Sequence, residues 1–380
     1  HPRLAADTPP ARLPEPERTY AASPIRFDPA CFDFTKWKSC VNRILNDYSH
    51  LLLQDADPAG EPPLREEISK YIYQARGVRC GWEQVVIGAG TQQLISLLGI
   101  ILRRMGIDHA SFESPGYLPV RRIFLDRGFK MTGVPLDREG IRVDRLPSNI
   151  KSTVYVSPSN QFPTGSIMPA ARRYALLDWA FQNDSIIIED DYNSELRYAG
   201  RPVPSLQGLD EKELVVYLGS FSSTLFPSIK ISYMVLPKPM RHLFASLLGE
   251  YNQTCSKTEQ LTLALYMEKG FYQSGLKKLR KLYALKIQLA TTAVGEFGAG
   301  RIRILNNSSG LHMLLKWESP AAHRSGREVC SLAAARGLLL APVLREEEEE
   351  TDTLIFYYTR IPREEIREAV RELVRLWALS

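Results

Sequence analysis

Paired cysteines are missing from this sequence. Cys31, Cys40, Cys80, Cys255 and Cys330 are scattered through the chain with no C-x-x-C spacing. An odd number so placed argues against a zinc cluster or a disulfide framework and for reduced thiols in the cytoplasm; no metal is expected. Long hydrophobic runs are missing too. The longest mainly apolar stretch, Leu94 to Leu102, falls far short of the ~20 residues a membrane span needs. Nor is there an excess of one charge: 48 basic against 43 acidic residues leave +5. That excludes the concentrated basic footprint of a DNA-reading domain. The 380 residues, 44% hydrophobic and 24% charged, are those of a globular protein with room for two domains of about 100–200 residues each.

Residues 1–24 read as a linker or an expression remnant, rich in Pro, Ala and charge, and the absence of an initiator methionine reads as a fragment. Residues 25–60 are expected to form an N-terminal segment that packs on a small domain. Residues 61–250 form a large domain and residues 251–380 the small C-terminal one. In the N-terminal segment Trp37, Val41, Ile44 and Leu45 fall at helical spacing. Glu66 and Glu67 suit the first turn of the next helix.

Within the large domain short apolar runs alternate with helical patterns, which predicts a parallel sheet with helical crossovers. Val85-Val86-Ile87 breaks at Gly88-Ala89-Gly90-Thr91 and continues as a helix closed by Gly106. Such a turn offers free backbone N–H groups to an anion. A-S-F-E-S-P-G-Y ends on Tyr117, Asp137 to Gly140 makes a turn between strands, and T-V-Y-V-S-P-S-N-Q-F-P-T-G runs from a strand into a polar loop. After Pro237 long helices follow, one opened by a capping box at Ser256–Glu259 and one over Tyr272–Glu296. The last part alternates strands, Gly310–Leu315 and Leu354–Arg360, with helices. His312 within that strand pattern reads as structural, and Glu346–Glu350 as a solvated loop.

The segment Ser185 to Tyr233 organises the rest. S-I-I-I-E-D-D-Y and V-V-Y-L-G-S-F-S-S-T-L-F-P-S-I-K-I-S-Y each begin as a buried strand and deliver a polar cluster at its C-terminal end, where ligands bind in open α/β sheets.

Together, G-A-G-T-Q, S-P-G-Y, S-P-S-N-Q-F-P-T-G, I-I-E-D-D-Y and L-G-S-F-S-S-T-L-F-P-S-I-K-I-S-Y resemble the aminotransferase-like domain of MocR/GabR-type (GntR superfamily) transcriptional regulators, from about Ile25 to the C-terminus. Q-F-P-T-G, rather than the N-P-T-G of ordinary aminotransferases, is closer to the regulators. The resemblance implies an α/β, aspartate-aminotransferase-like fold type I: a large domain with a mostly parallel sheet flanked by helices, plus a smaller α+β C-terminal domain. It implies pyridoxal 5'-phosphate as cofactor. Gly90, Thr91, Ser220, Ser222 and Lys230 would hold the phosphate, and Tyr117 would stack on the ring with Asn160 beside it. Asp190 would pair with the ring nitrogen, Tyr192 with the ring hydroxyl, and Arg360 with the carboxylate of an amino-acid ligand. It also implies a head-to-tail homodimer, with Tyr48 reaching the partner's site, and DNA contacts through an N-terminal winged-helix domain not in this chain.

Two positions depart from the family pattern. Ser223 stands where the Schiff-base lysine is expected, and a hydroxyl can neither form a Schiff base nor shuttle the proton an amine would. Lys230 stands where an arginine is expected and gives a point charge in place of a fork. Both departures favour native drift over an engineered change at Ser223. The cofactor, if bound, would be non-covalent or an external aldimine with an added amine. The expected function is an effector-binding and dimerisation domain sensing a small amino acid, amine or related ligand, with no catalytic residue. An active aminotransferase and a cofactor-free binding protein on the same fold remain alternatives.

Overall fold

The computed structural model describes residues 28–197, 203–247, 250–306, 310–320, 322–344 and 351–378. The linker assigned to residues 1–24 and the acidic run Glu346–Glu350 lie outside them. The strands are β1 (Val85–Ala89), β2 (His109–Ser114), β3 (Lys130–Asp137), β4 (Gly140–Ile141), β5 (Thr153–Val156), β6 (Ile186–Asp190), β7 (Val215–Ser220) and β8 (Ile231–Val235), then β9 (Ile302–Asn306), β10 (Met313–Trp317), β11 (Leu340–Pro342) and β12 (Thr353–Phe356). The first eight form one sheet in the order β1-β8-β7-β6-β5-β2-β3-β4. Its centre, β3-β2-β5-β6-β7, is parallel, and β8 runs against both neighbours.

The strands read as unbroken apolar runs because helices cover both faces. Side chains alternate between two cores with the period of two that a strand imposes. Val86, Ile188, Leu218 and Met234 pack with Leu94, Leu98 and Leu102 of helix Thr91–Arg104. Val85, Ile87, Tyr217 and Tyr233 face the other way, onto helices Pro62–Arg76 and Lys257–Glu268. The remaining strands form the antiparallel sheet β11-β12-β10-β9 of the C-terminal lobe. Its core takes the apolar stripe of helix Ile366–Trp377 and the second half of the 28-residue helix Phe271–Gly298. Residues Leu276, Leu279 and Tyr283, earlier on that helix, pack separately with Leu196.

Several local expectations change. Helix Phe34–Asp47 buries Trp37, Cys40 and Ile44 and leaves Leu45 48% exposed. Helix Pro62–Arg76 starts earlier than the acids suggested because proline presets its first turn. Glu66 and Glu67 therefore sit in the second turn and pair with Lys70 at 3.0 and 2.9 Å. Ser256 is the N-cap of helix Lys257–Glu268 but makes no side-chain capping bond. Gln260 secures that end instead, donating Nε2 to the Cys255 carbonyl at 3.1 Å. Strand β10 begins only at Met313 because Gly310 turns at φ +83°, which leaves His312 just ahead of the strand. Strand β12 ends at Phe356, its last pair with β10, and Tyr358–Arg360 form a single 3-10 turn. Among the described residues no helix is long and apolar enough to cross a membrane, no His/Cys/Asp/Glu cluster could hold a metal, and all five cysteines are free.

Candidate functional site

A cavity of ≈ 520 Å³ opens at the C-terminal ends of β1, β6 and β7 and is closed from the C-terminal lobe by Leu311, Tyr357, Thr359 and Arg360. Ten of the eleven residues singled out from the sequence line it: Gly90, Thr91, Tyr117, Asp190, Tyr192 and Ser220, then Ser222, Ser223, Lys230 and Arg360.

One end is built from helix-start amides and hydroxyls. Gly90 holds φ +90° as the N-cap of helix Thr91–Arg104, a conformation open to glycine at little cost, and contributes no side chain to block the first-turn amides. Ser220, the last residue of β7, accepts hydrogen bonds from the Ser222 amide at 3.3 Å and from the Ser232 hydroxyl at 2.9 Å. Lys230 turns the chain into β8 in the left-handed region, φ +49°. It is exposed and, among the described residues, supplies the one ammonium group on the cavity wall. The Ser223 hydroxyl makes no hydrogen bond with any described residue.

The middle is set by the three acids that end β6, which separate by direction. Glu189 is buried against Arg173 at 3.6 Å and accepts from the Leu206 and Gln207 amides at 2.7 and 2.8 Å. Asp191 accepts from Arg76 Nε at 2.6 Å, the Tyr217 hydroxyl at 2.6 Å and the Ser194 hydroxyl at 2.8 Å. Burial works to raise its pKa, but the Arg76 guanidinium outweighs that and holds it below the usual carboxylate range. Asp190 alone faces the cavity, with the Tyr155 hydroxyl donating to it. Burial pushes its pKa up to about 6, against the lowering effect of Tyr155.

Aromatic side chains frame the space between the ends. The Phe162 ring stands edge-on to Tyr117 at 6.0 Å, to Tyr192 at 6.4 Å and to His312 at 5.5 Å. His312 is buried, pairs through Nε2 with the Pro163 carbonyl at 2.9 Å, and has its pKa lowered by burial. Arg360 is exposed at the far end, and its guanidinium makes no hydrogen bond or ion pair with any described residue.

Asn160 is not on the wall. It is 2% exposed and lies against Gly310, where an added Cβ would come within 2.9 Å of its Nδ2. The loop is drawn inward by Gln161, which donates Nε2 to the Pro115 carbonyl at 2.9 Å and to Glu113 Oε2 at 3.3 Å and accepts from Thr164 Oγ1 at 2.6 Å. Phe162, half-buried, therefore takes the place on the wall. Glu113 itself is pushed up to about 8 by burial. Tyr48 lies by a separate groove with Ile44 and Leu51 and does not reach the cavity within its own chain.

Sequence reasoning missed Ser232, Tyr155, Tyr357 and Asn193. The signal for Ser232 was present, because pairing β7 against β8 in register puts it opposite Ser220. Tyr155 could have been found from the alternation of T-V-Y-V beside β6.

The hydroxyls, helix-start amides and ammonium at one end fit a phosphate, and Asp190 among aromatic rings fits a protonated ring nitrogen. At Ser223 there is no amine for a covalent attachment.

Fold and site together define an aminotransferase-type protein. The family model "Aminotransferase class I and II" matches residues 37–349, and the chain belongs to that family. Within it, the chain stands with the MocR/GntR-type transcriptional regulators. It is 38% identical to the HTH-type transcriptional regulator YdeL of Bacillus subtilis, over 93% of this chain and 75% of that protein. It is 32% identical to the probable rhizopine catabolism regulatory protein MocR of Rhizobium meliloti, over 75% of this chain and 58% of that protein. Among solved structures, Thermus thermophilus LysN, an alpha-aminoadipate aminotransferase, superposes with a TM-score of 0.78 at 26% identity, covering 93% of this chain and 90% of its own.

Proposed function

We propose that this chain is the effector-binding and dimerisation part of a transcription regulator. It would sense a small amino acid or amine through pyridoxal phosphate held without a covalent bond to the protein. The observation that carries this reading is that Ser220, Ser222, the helix-start amides, Lys230 and Asp190 share one cavity wall with a serine, Ser223, at the position where an enzyme of this family needs an amine. The LysN structure was solved with N-(5'-phosphopyridoxyl)-L-leucine, a ligand with a phosphate at one end and a carboxylate at the other. That shape matches a cavity with Lys230 and the serines at one end and Arg360 at the other.

When bound, pyridoxal phosphate supplies an aldehyde that condenses reversibly with a primary amine. In this chain Asp190 would hold the ring nitrogen protonated, Tyr117 and Phe162 would exclude water from the ring, and Arg360 would orient the effector carboxylate. Ser223 would present a hydroxyl and not an amine to the effector, so this position would offer no group able to displace a bound amine. DNA would be contacted through a winged-helix domain outside this chain, in keeping with the names of its regulator relatives. A head-to-tail partner would bring Tyr48 to the cavity. Effector binding would favour one arrangement of the dimer and so shift the DNA-competent population.

The test is an absorbance titration with pyridoxal phosphate, with and without candidate amino acids, followed by borohydride treatment and mass measurement. Saturable binding, a spectral change only when an amine is added, and no label on the protein support the reading. Labelling of Lys230 would favour the second reading, an active aminotransferase that uses this lysine. Absence of binding would leave a cofactor-free protein.

A further inference from the structure

Lys286 lies in the middle of helix Phe271–Gly298 with its side chain 0% exposed, an uncommon place for a lysine. Its ammonium donates to two oxygens: Asp28 Oδ2 at 2.6 Å and the Thr359 carbonyl at 2.7 Å. The Asp28 side chain is 6% exposed, and Thr359 is buried at 4%. Asp28 also accepts from the Ala30 amide at 2.8 Å, so the same carboxylate that neutralises the lysine caps the turn Pro29–Cys31.

Thr359 immediately precedes Arg360 in the 3-10 turn. Two further ties of the turn, Thr359 Oγ1 to the Leu311 carbonyl at 2.8 Å and the Tyr358 hydroxyl to the Gly310 carbonyl at 3.1 Å, run to the segment just before β10. The ammonium of Lys286 is what fastens the Thr359 carbonyl to the long helix and to the N-terminal segment. Arg360 makes no fixing contact of its own with a described residue, so the position of its guanidinium follows the backbone of this turn. A planar fork meets a carboxylate well only from a defined direction.

We propose that Lys286, neutralised by Asp28, is the positioning residue for Arg360 and thereby sets the selectivity of the cavity for ligands that carry a carboxylate. This rests on Arg360 being the carboxylate receiver. It also makes the ordering of residues 28–31 and the recognition of the carboxylate parts of one device, since one ammonium serves both.

The test uses D28N/K286M, which removes both buried charges together; K286M alone strands the Asp28 carboxylate and serves as the destabilised control. Three affinities are measured, for pyridoxal phosphate alone and then, with it saturating, for L-alanine and for ethylamine. Backbone amide exchange over residues 357–361 is followed without ligand. The preference for L-alanine over ethylamine should fall about ten-fold, because a misplaced fork loses its second bond. Affinity for pyridoxal phosphate should stay within about two-fold. Exchange should quicken in residues 357–361 and not in helix Ile366–Trp377. Unchanged preference with unchanged exchange overturns the proposal. So does an equal loss for all three ligands with faster exchange across the whole lobe, which is what plain destabilisation would give. If the unaltered chain itself shows no preference for L-alanine, the carboxylate reading of Arg360 fails, and the exchange comparison alone decides whether Lys286 holds the turn.

Discussion

Ser220 and Ser232 face each other across the open end of the β7–β8 pair, with their hydroxyl oxygens 2.9 Å apart on the cavity wall. Ser220 accepts from Ser232 and from the Ser222 amide, so both of its lone pairs are engaged and its own proton is left to donate to an anion. The pair acts as a directed donor, which a solitary serine, free to rotate, would not.

Ser232→Ala should therefore weaken a phosphate-bearing ligand although Ser232 need not touch it. The expected loss is about 0.5–1.5 kcal/mol, read by calorimetry with pyridoxal phosphate. Equal affinities for the variant and the parent would show that the hydroxyl pair has no part in anion binding.

Ser223→Lys should put an amine at position 223, where the cavity now has a hydroxyl. Borohydride treatment in the presence of pyridoxal phosphate should then fix the cofactor to residue 223, with the mass shift located by peptide mapping, while the parent chain stays unlabelled. Failure of the lysine variant to label would mean that position 223 does not reach the aldehyde.

Asp190 carries a pH signature. Its ordinary pKa of 3.8 is raised to about 6, so the folded state holds the proton more tightly than the unfolded one. That contribution is favourable at low pH and is lost as pH rises from about 4 through about 6. Asp190→Asn should accordingly be more stable than the parent above pH ~6, by up to about 3 kcal/mol, with the gap closing near pH ~4. Urea denaturation at both ends of this range decides it; a gap that does not widen with pH contradicts the burial of this carboxylate. The same variant should bind pyridoxal phosphate more weakly if, as proposed, Asp190 pairs with the ring nitrogen.

Arg360→Ala should cost a carboxylate-bearing effector about 1.5–3 kcal/mol or more and leave affinity for pyridoxal phosphate alone unaffected. Parallel titrations with L-alanine and with the cofactor separate the two, and an undiminished L-alanine affinity would place the carboxylate elsewhere.

Arg76→Met should cost about 3–5 kcal/mol in global stability, because it leaves Asp191 buried and unpaired. Thermal unfolding reads it directly. A drop of under about 1 kcal/mol would mean that water or a shifted neighbour replaces the guanidinium.

The strands and the cavity's ends were legible because each rests on a local pattern: apolar runs, a Gly turn before a helix, and polar clusters at strand ends. The choice of Asp190 from three consecutive acids came from family resemblance, and the structure supplies its physical basis. Alternation sends Glu189 and Asp191 to buried arginines and Asp190 to the cavity. Asn160 was assigned to the cavity because the loop's outward face depends on Gln161, whose hydrogen bonds reach back to Pro115 and Glu113 and leave no periodic trace. Arg360 could be placed near the cavity but not in its turn, since β12 stops where its pairing with Met313 ends. Lys286 was invisible among the lysines of its helix; only the packing of a segment more than 250 residues earlier in the chain distinguishes it.

The 28-residue helix Phe271–Gly298 is about 42 Å long at 1.5 Å per residue. Its first part packs with Leu196, just beyond the Asp190 strand, and its second part lies in the lobe that carries Arg360. A rod continuous across both lobes resists changes in the span between the serine end and the arginine end of the cavity. The chain should then behave as a caliper. Lengthening an effector by one methylene between its amine and its carboxylate would be felt as strain in the rod, so discrimination should rest on the reach of the ligand more than on its bulk.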